Sequence, residues 1–475
     1  MTHEAFEAFR RDLAAGDPLA ALREGVIGEG VMIPGRDGPV PLVYADYVAS
    51  GRALRQVEDF VQTRVLPFYA NSHTEASFCG QYTTGLREAA RAEIARLTGA
   101  GADCAVIFAG SGATAGLNRL VTLLGVAGAR RPVVFIGPYE HHSNILPWRE
   151  SGAEVVEIPE AVGGGPDLAA LEAALLAHAD ADLKIGSFSV ASNVSGIITD
   201  DRAVTRMLKA HGALAVWDYA GGGPYLPIDM GRGEEAKDAI ALSPHKFAGG
   251  PGASGLLILR RSAVRLARPS WPGGGTVAFV SPWGHRYSDN LAAREEAGTP
   301  NVIGDIRAAL ALIVKDAIGL DRLAAREAAL NRLALSAWNG HPQLTLLGCE
   351  AAHRLPIFSF LVRDRQGAAV HHQLFTRALS DIYGIQARGG CACAGPYGHR
   401  LLGIGAAASA DMAARIAAGD EIAKPGWVRL NFSPLMTDDT ARHITASVLD
   451  LLGRIDDVAP NYTGDPATAR FRAAG

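Results

Sequence analysis

The chain has 475 residues, of which 48% are hydrophobic and 20% charged. This balance marks a soluble globular protein with room for two domains and excludes a disordered one. A net charge of -4 implies no large cationic surface, so composition does not support nucleic-acid or anionic-membrane binding.

The opening residues 1–11 lack the apolar core of a signal peptide, and no apolar run is long enough to span a bilayer. The 5 cysteines are an odd number in a long chain, against a disulfide framework; a reducing cytoplasm is expected. Phe6, Phe9, Leu13 and Leu19 recur at near-helical intervals and predict a helix over residues 3–24. Residues 40–46 predict a short strand ending on Asp46, then a turn over 47–51 and a helix over 54–66. Residues 69–75 form a polar loop and residues 87–97 an amphipathic helix.

From there strands and helices alternate. Apolar strands are predicted at 105–109, 133–136, 154–158, 185–190 and 214–217, with helices over 117–124, 167–177 and 202–211. Residues 110–116 form a glycine-rich turn. Residues 239–259 predict strand, polar turn, strand, with Ser243, His245 and Lys246 where the first apolar run ends. This pattern predicts a mostly parallel sheet with helices on both faces. After about Pro300 the pattern becomes α+β. Helices are predicted over 304–320, 323–338, 370–380 and 438–452, the last with Thr437 as N-cap, and strands at 357–362 and 427–432. The expected organisation is an N-terminal helical segment over 1–40 packing with a small domain, a large domain over 41–303, and the small domain over 304–475. The tail after Val458 is expected to be loosely held.

Ligands of open α/β sheets bind beyond the carboxyl ends of the strands. There the chain places Gly110-Ser-Gly-Ala-Thr114, an anion cradle at a helix start, then Glu140-His-His-Ser-Asn144, Ser192-Asn193, Asp218, and Ser243, His245 and Lys246. Taken singly, each reads as a turn, a cap or a structural histidine. A dinucleotide fingerprint through Gly110, Gly112, Ala115 and Glu140 leaves Asp218 and Lys246 without a role. Pyridoxal 5'-phosphate uses every group: Lys246 for its aldehyde, Asp218 for its pyridine nitrogen, His141 for its ring and Asn193 for its phenolate oxygen. Thr114, Ser243, His245 and the backbone at Gly112 and Ala113 suit its phosphate.

With these residues the chain resembles the class V aminotransferase group of fold-type I pyridoxal-phosphate enzymes. It is most similar to SufS-type cysteine desulfurases and the desulfurase domain of molybdenum-cofactor sulfurases. The resemblance runs from about Tyr44 to Leu452. It rests on Tyr44-Ala-Asp-Tyr-Val-Ala-Ser50, Glu140-His-His-Ser-Asn-Ile-Leu-Pro-Trp148, Ser192-Asn-Val-Ser-Gly196, Asp218, Ser243-Pro-His-Lys246, Glu296-Ala-Gly-Thr-Pro-Asn301 and Arg388-Gly-Gly-Cys-Ala-Cys393. It implies an α/β fold with a seven-stranded, mostly parallel sheet between helices, a smaller C-terminal α+β domain carrying the 388–393 loop, and a homodimer with shared active sites.

By the same resemblance, Thr299 reaches the phosphate of the partner's cofactor, and Gly273-Gly-Gly275 lies near the partner's site. Arg388, with His73 and Asn193, binds the amino-acid substrate, the guanidinium holding its α-carboxylate. Cys393 stands at the position of the nucleophile, where a thiolate is required; a sulfur-acceptor protein is a possible partner. The chain departs from the family at Tyr47 and Val48, which replace smaller residues of the early motif, and in three further places. Tyr219-Ala-Gly-Gly-Gly follows Asp218 where a glutamine is usual. Cys391-Ala-Cys393 replaces a histidine pair before the cysteine. Residues 395–425 form a longer stretch, open to reading as a lid, a partner surface or an inert insertion.

The implied reaction is removal of sulfur from L-cysteine or a close analogue, giving alanine and a persulfide on Cys393. Lys246 acts as proton carrier, and His141 as stacking partner and proton relay. Two alternatives stay open. The same cofactor could serve a C–S lyase, epimerase or aminotransferase. A non-enzymatic protein could bind sulfur or metal through Cys391, Cys393 and His399, although that spacing is not specific for zinc.

Overall fold

Seven apolar runs assemble into one sheet in this computed structural model, which describes residues 2–71 and 75–473. They are β1 (Cys104–Gly110), β2 (Pro132–Ile136), β3 (Glu154–Glu157), β4 (Leu183–Ser189), β5 (Leu214–Asp218), β6 (Ala239–Leu242) and β7 (Gly255–Arg260). Their spatial order is β1-β7-β6-β5-β4-β2-β3, and every neighbouring pair is parallel except the two made by β7. Six strands therefore run in one direction and end on a common edge.

Helices cover both faces, so the inner strands are largely apolar on both sides. α1 (Phe78–Leu97) and α3 (Val302–Ile318) lie on one face, where Ile306, Leu310 and Ile313 share a core with Phe108, Ile240 and Leu256. α2 (Gly112–Leu123) lies on the other, with Leu117 and Leu120 against Ile107, Ala241 and Leu257. Adjacent residues such as Ile107 and Phe108 enter different cores because strand side chains alternate.

The second sheet is antiparallel and contains β8 (Leu344–Leu346), β9 (Ile357–Arg363), β10 (Arg388–Gly390) and β11 (Trp427–Asn431) in the order β8-β9-β11-β10. Its core joins Trp338, Phe358, Phe360, Phe375 and Phe432. α4 (Leu320–Trp338), α5 (His372–Tyr383) and α6 (Asp438–Val458) supply its helical cover. Thr437 Oγ1 accepts a hydrogen bond from Thr440 N at 3.0 Å, so it caps α6 as expected. The expected class, α/β with a mostly parallel sheet and an α+β portion, matches these two sheets.

Two expectations change. The N-terminal segment packs on both parts of the chain rather than on the later part alone. Its helix Thr2–Ala14 turns Phe6, Phe9 and Leu13 into the core on the α1/α3 face, where Phe6 stacks on Phe60 at 5.5 Å. An apolar stripe needs cover, and the α1 and α3 helices provide it. Arg23 Nε donates to Leu435 O at 2.7 Å and Arg36 N–H to Asp381 O at 2.8 Å, so the segment also reaches the other unit at two places. The predicted single helix over 3–24 also breaks at Asp17, which caps a second helix, Pro18–Glu24.

The tail after Val458 is ordered rather than loose. Strands Tyr462–Asp465 and Arg470–Ala473 pair, Phe471 packs on the His371 ring at 5.0 Å, and Tyr462 is buried. The stretch after Cys393 folds into two helices, Gly395–Leu402 and Ala406–Ala417. Among the described residues no helix is long and apolar enough to cross a membrane.

Candidate active site

A cavity of about 470 Å³ opens at the common strand edge, between the central sheet and the β10/β11 end of the second sheet. The turn after β1 forms one wall. Gly110 and Gly112 have φ of +91° and +60°, conformations that favour glycine. Ser243 Oγ accepts from Ala113 N at 2.8 Å and so ties the start of α2 to the turn after β6. Thr114 Oγ1 and Ser143 Oγ lie 2.7 Å apart. The α2 N-terminus, Thr114, Ser243 and His245 together offer donors to an anion.

Lys246 ends a short 3-10 turn, Pro244–Lys246, directly after β6. Gly51 N donates to His245 O at 2.9 Å and holds the early 46–51 motif against this turn. A Cβ at Gly51 would meet Phe247 O at 1.9 Å, so the approach requires glycine. Burial lowers the Lys246 amine to about 8; Asp218 opposes this, and Arg429 and Arg388 add to it.

Asp218 ends β5 and is buried, with Ala220 N donating to its Oδ1 at 2.8 Å. Burial raises its pKa, against the pull of that bond and of Lys246. A cationic ligand nitrogen would restore its ionised form. His141 lies on the loop after β2, its Nδ1 accepting from Ser143 N at 3.1 Å. Burial lowers the ring to about 4, assisted by the charges of Lys246, His142 and Arg429, so it is neutral near pH 7.

The second sheet closes the cavity with Arg388, Ala392, Cys393 and Arg429. Asn193 Nδ2 donates to Ala392 O at 2.8 Å, which leaves its second N–H for a ligand. Its Oδ1 is buried with no hydrogen-bond partner among the described residues. Ala392 and Cys393 have φ of +52° and +55°, a left-handed pair costing about 1–2 kcal/mol per residue. Cys393 is a free, exposed thiol.

Two residues that sequence reasoning missed complete this wall. Arg429, on β11, is only 3% exposed. Asp46 accepts from Arg429 Nη2 at 2.8 Å and from Arg388 Nε at 3.0 Å, so one buried carboxylate orients both guanidinium groups. Arg429 Nη1 donates to Asn193 O at 3.1 Å, while its Nε is buried with no hydrogen-bond partner among the described residues. The available signal was a single arginine inside the apolar run Trp427-Val-Arg-Leu, because a buried arginine requires a paired acid.

The cavity thus unites Gly112, Ala113, Thr114, His141, Asn193, Asp218, Ser243, His245, Lys246, Arg388 and Cys393 from the expected set. His73 lies outside the described residues. Thr299 is exposed and stands apart from the cavity wall of its own chain. Gly221 lines the wall in the stretch where the resemblance leads one to seek a glutamine.

Glu140 is buried behind that wall. Its oxygens accept from Asn144 Nδ2 at 2.5 Å, Ser189 N at 2.8 Å and Ser189 Oγ at 2.6 Å, so it is turned away from any dinucleotide ribose. The metal alternative loses its histidine, since the His399 ring nitrogens lie 2.8 Å from Gly395 O and 2.9 Å from Ser409 Oγ. An amine, a buried acid, a neutral ring and an anion cradle fit pyridoxal phosphate.

The profile of the family described as Aminotransferase class-V matches residues 43–417. A cysteine desulfurase of Enterobacter sp. (strain 638) is 32% identical over 368 residues, covering 75% of this chain and 85% of the relative. A probable cysteine desulfurase of Streptomyces coelicolor is 29% identical over 365 residues, covering 75% and 84%. Among solved structures, the apo cysteine desulfurase of Thermococcus onnurineus NA1 superposes with a TM-score of 0.70 at 23% identity, over 87% of this chain and 95% of that one. An Escherichia coli cysteine desulfurase gives a TM-score of 0.68 at 24% identity, over 86% and 94%. At such identities the two structures establish a shared fold.

Proposed function

The chain belongs to the aminotransferase class-V family of pyridoxal-phosphate enzymes, and from that membership we propose that it removes sulfur from L-cysteine or a close analogue, giving alanine and a persulfide on Cys393. The observation that carries this reading is the position of Cys393 on the wall that also holds Lys246, Asp218 and His141.

When bound, pyridoxal phosphate supplies an electron sink for a carbanion at the substrate α-carbon. Lys246 is the amine for the cofactor aldehyde. As a free amine it would take the substrate's α-proton, and its lowering to about 8 favours the neutral base such a transfer needs. Asp218 holds a proton at the pyridine nitrogen. His141 covers the ring and relays protons. Thr114, Ser243, His245 and the backbone at Gly112 and Ala113 would hold the phosphate, and Asn193 would serve the phenolate oxygen. Arg388 takes the substrate carboxylate, and Arg429, paired through Asp46, adds positive charge beside it.

The Cys393 thiolate attacks the substrate sulfur. An S–S bond forms, the C–S bond breaks, and its electron pair stays with the substrate carbon, which takes a proton and leaves as alanine. The working form is a homodimer in which Thr299 of each chain contacts the partner's cofactor phosphate; a protein acceptor then takes the sulfur. A reducing cytoplasm suits a chain whose five cysteines are all free.

Replacing Cys393 by Ser tests the reading. Alanine release from cysteine should fall at least about 100-fold while the cofactor absorbance persists. Full alanine release in that variant contradicts it, and pyruvate as product assigns the protein to the C–S lyases.

A further inference from the structure

We propose that His142 is a positioning residue that clamps the Cys393 loop against the cavity wall. The functional weight of this clamp rests on Cys393 as the nucleophile; its structural action does not.

Residues 391–395 connect β10 to the helix Gly395–Leu402 through two consecutive left-handed residues, Ala392 and Cys393. Neither is glycine, so each Cβ crowds the neighbouring carbonyl and the conformation needs support from outside the loop. Three hydrogen bonds provide it. Asn193 Nδ2 donates to Ala392 O at 2.8 Å. The backbone N–H of His142 donates to Cys393 O at 2.9 Å. The Nε2 of the same histidine accepts from Gly395 N at 2.9 Å. His142 therefore grips the loop at Cys393 and again two residues later.

The main-chain bond survives any substitution at position 142 except proline, whereas the ring bond depends on the side chain. It needs a neutral imidazole with its proton on Nδ1. Burial, with Arg149 adding to it, lowers the His142 pKa and favours that form. The fit at Gly395 is close: a Cβ there would stand 3.1 Å from His142 Nε2. The clamp also adjoins the cofactor wall. His142 follows His141, and Ser143 Oγ lies 3.0 Å from His141 Nδ1 and 2.7 Å from Thr114 Oγ1.

The test compares H142Q, whose side-chain oxygen can accept from Gly395 N–H, with H142L, which keeps bulk but removes the acceptor. Three quantities are read on the purified holoenzyme: amide exchange at Gly395, the rate of Cys393 alkylation by iodoacetamide, and kcat and KM for alanine release from cysteine. In H142L, exchange and alkylation should rise about tenfold, the factor equivalent to one lost hydrogen bond of about 1.4 kcal/mol. In the same variant kcat should fall with KM and cofactor absorbance unchanged, and H142Q should recover most of each change.

H142A replaces H142L in the comparison if the leucine variant does not fold. Exchange and alkylation within twofold of wild type in the acceptor-free variant, or H142Q as impaired as H142L, overturns the proposal. Faster exchange and alkylation in a protein whose wild type never forms a Cys393 persulfide upholds the clamp and rejects the desulfurase reading instead.

Discussion

Asp46 shows how one buried carboxylate can organise an active-site wall. It bridges Arg429, which is almost fully buried, and Arg388, whose side chain is 45% exposed. Removing each arginine should therefore have a different cost. R429A leaves an acid under-compensated in the interior and should lower stability by about 3–5 kcal/mol. R388A breaks a partly solvated pair and should lower it by about 0–1 kcal/mol. Denaturant unfolding of the two variants checks the difference, and equal losses contradict it.

Histidine burial has a pH signature at the same scale. Burial holds His141 at about 4, with Lys246, His142 and Arg429 pushing the same way, and holds His372 at about 3, assisted by His371. The unfolded chain protonates both rings near about 6.5. Their contribution to stability is then complete above that value and is lost as pH falls from about 6.5 through about 4 for His141 and about 3 for His372. Thermal melts should step down across that window, with a shallower slope in H372F; an unchanged slope contradicts the assignment.

At the scale of elements, the strands of the central sheet and the groups at their ends were legible because apolar runs stopped at polar residues. Which face each strand residue took was not legible, because both faces are covered and both are apolar; Ile107 and Phe108 look alike in sequence. Helix starts were also missed. α1 begins at Phe78 behind the cap Ser77, whose Oγ accepts from Gly80 N at 3.2 Å, and α2 begins at Gly112 inside what reads as a glycine turn.

The fork of Asp46, Arg388 and Arg429 joins three segments far apart in the chain, and local pattern carries no trace of such pairing. The early motif is a more local device. Gly51 lets residues 46–51 pass against the Lys246–Phe247 backbone, and G51A would push a Cβ into Phe247 O. That variant should lose about 1–3 kcal/mol of stability and retain less cofactor after dialysis, as read by melting and absorbance. Wild-type retention and stability would show that the contact is easily relieved.

Across the whole molecule, the cavity draws its two sets of groups from separate layers. The strand edge of the central sheet supplies the amine, the acid, the imidazole and the anion cradle. The antiparallel sheet supplies the arginines and the cysteine. The Lys246 side of the cavity and the Cys393 side thus meet only once the two layers are packed together. The N-terminal helix reinforces the first layer by adding Phe6, Phe9 and Leu13 to its core. Sequence order alone separates Lys246 from Cys393 by more than a hundred residues, and only the family resemblance predicted their meeting.

The most direct measurement is a single turnover of the purified holoenzyme with L-cysteine, followed by product analysis and peptide mass mapping. Desulfuration predicts one alanine per site and one added sulfur atom on the peptide containing Cys393, removable by a thiol reductant. Pyruvate or unchanged cysteine, with no sulfur on Cys393, would contradict it.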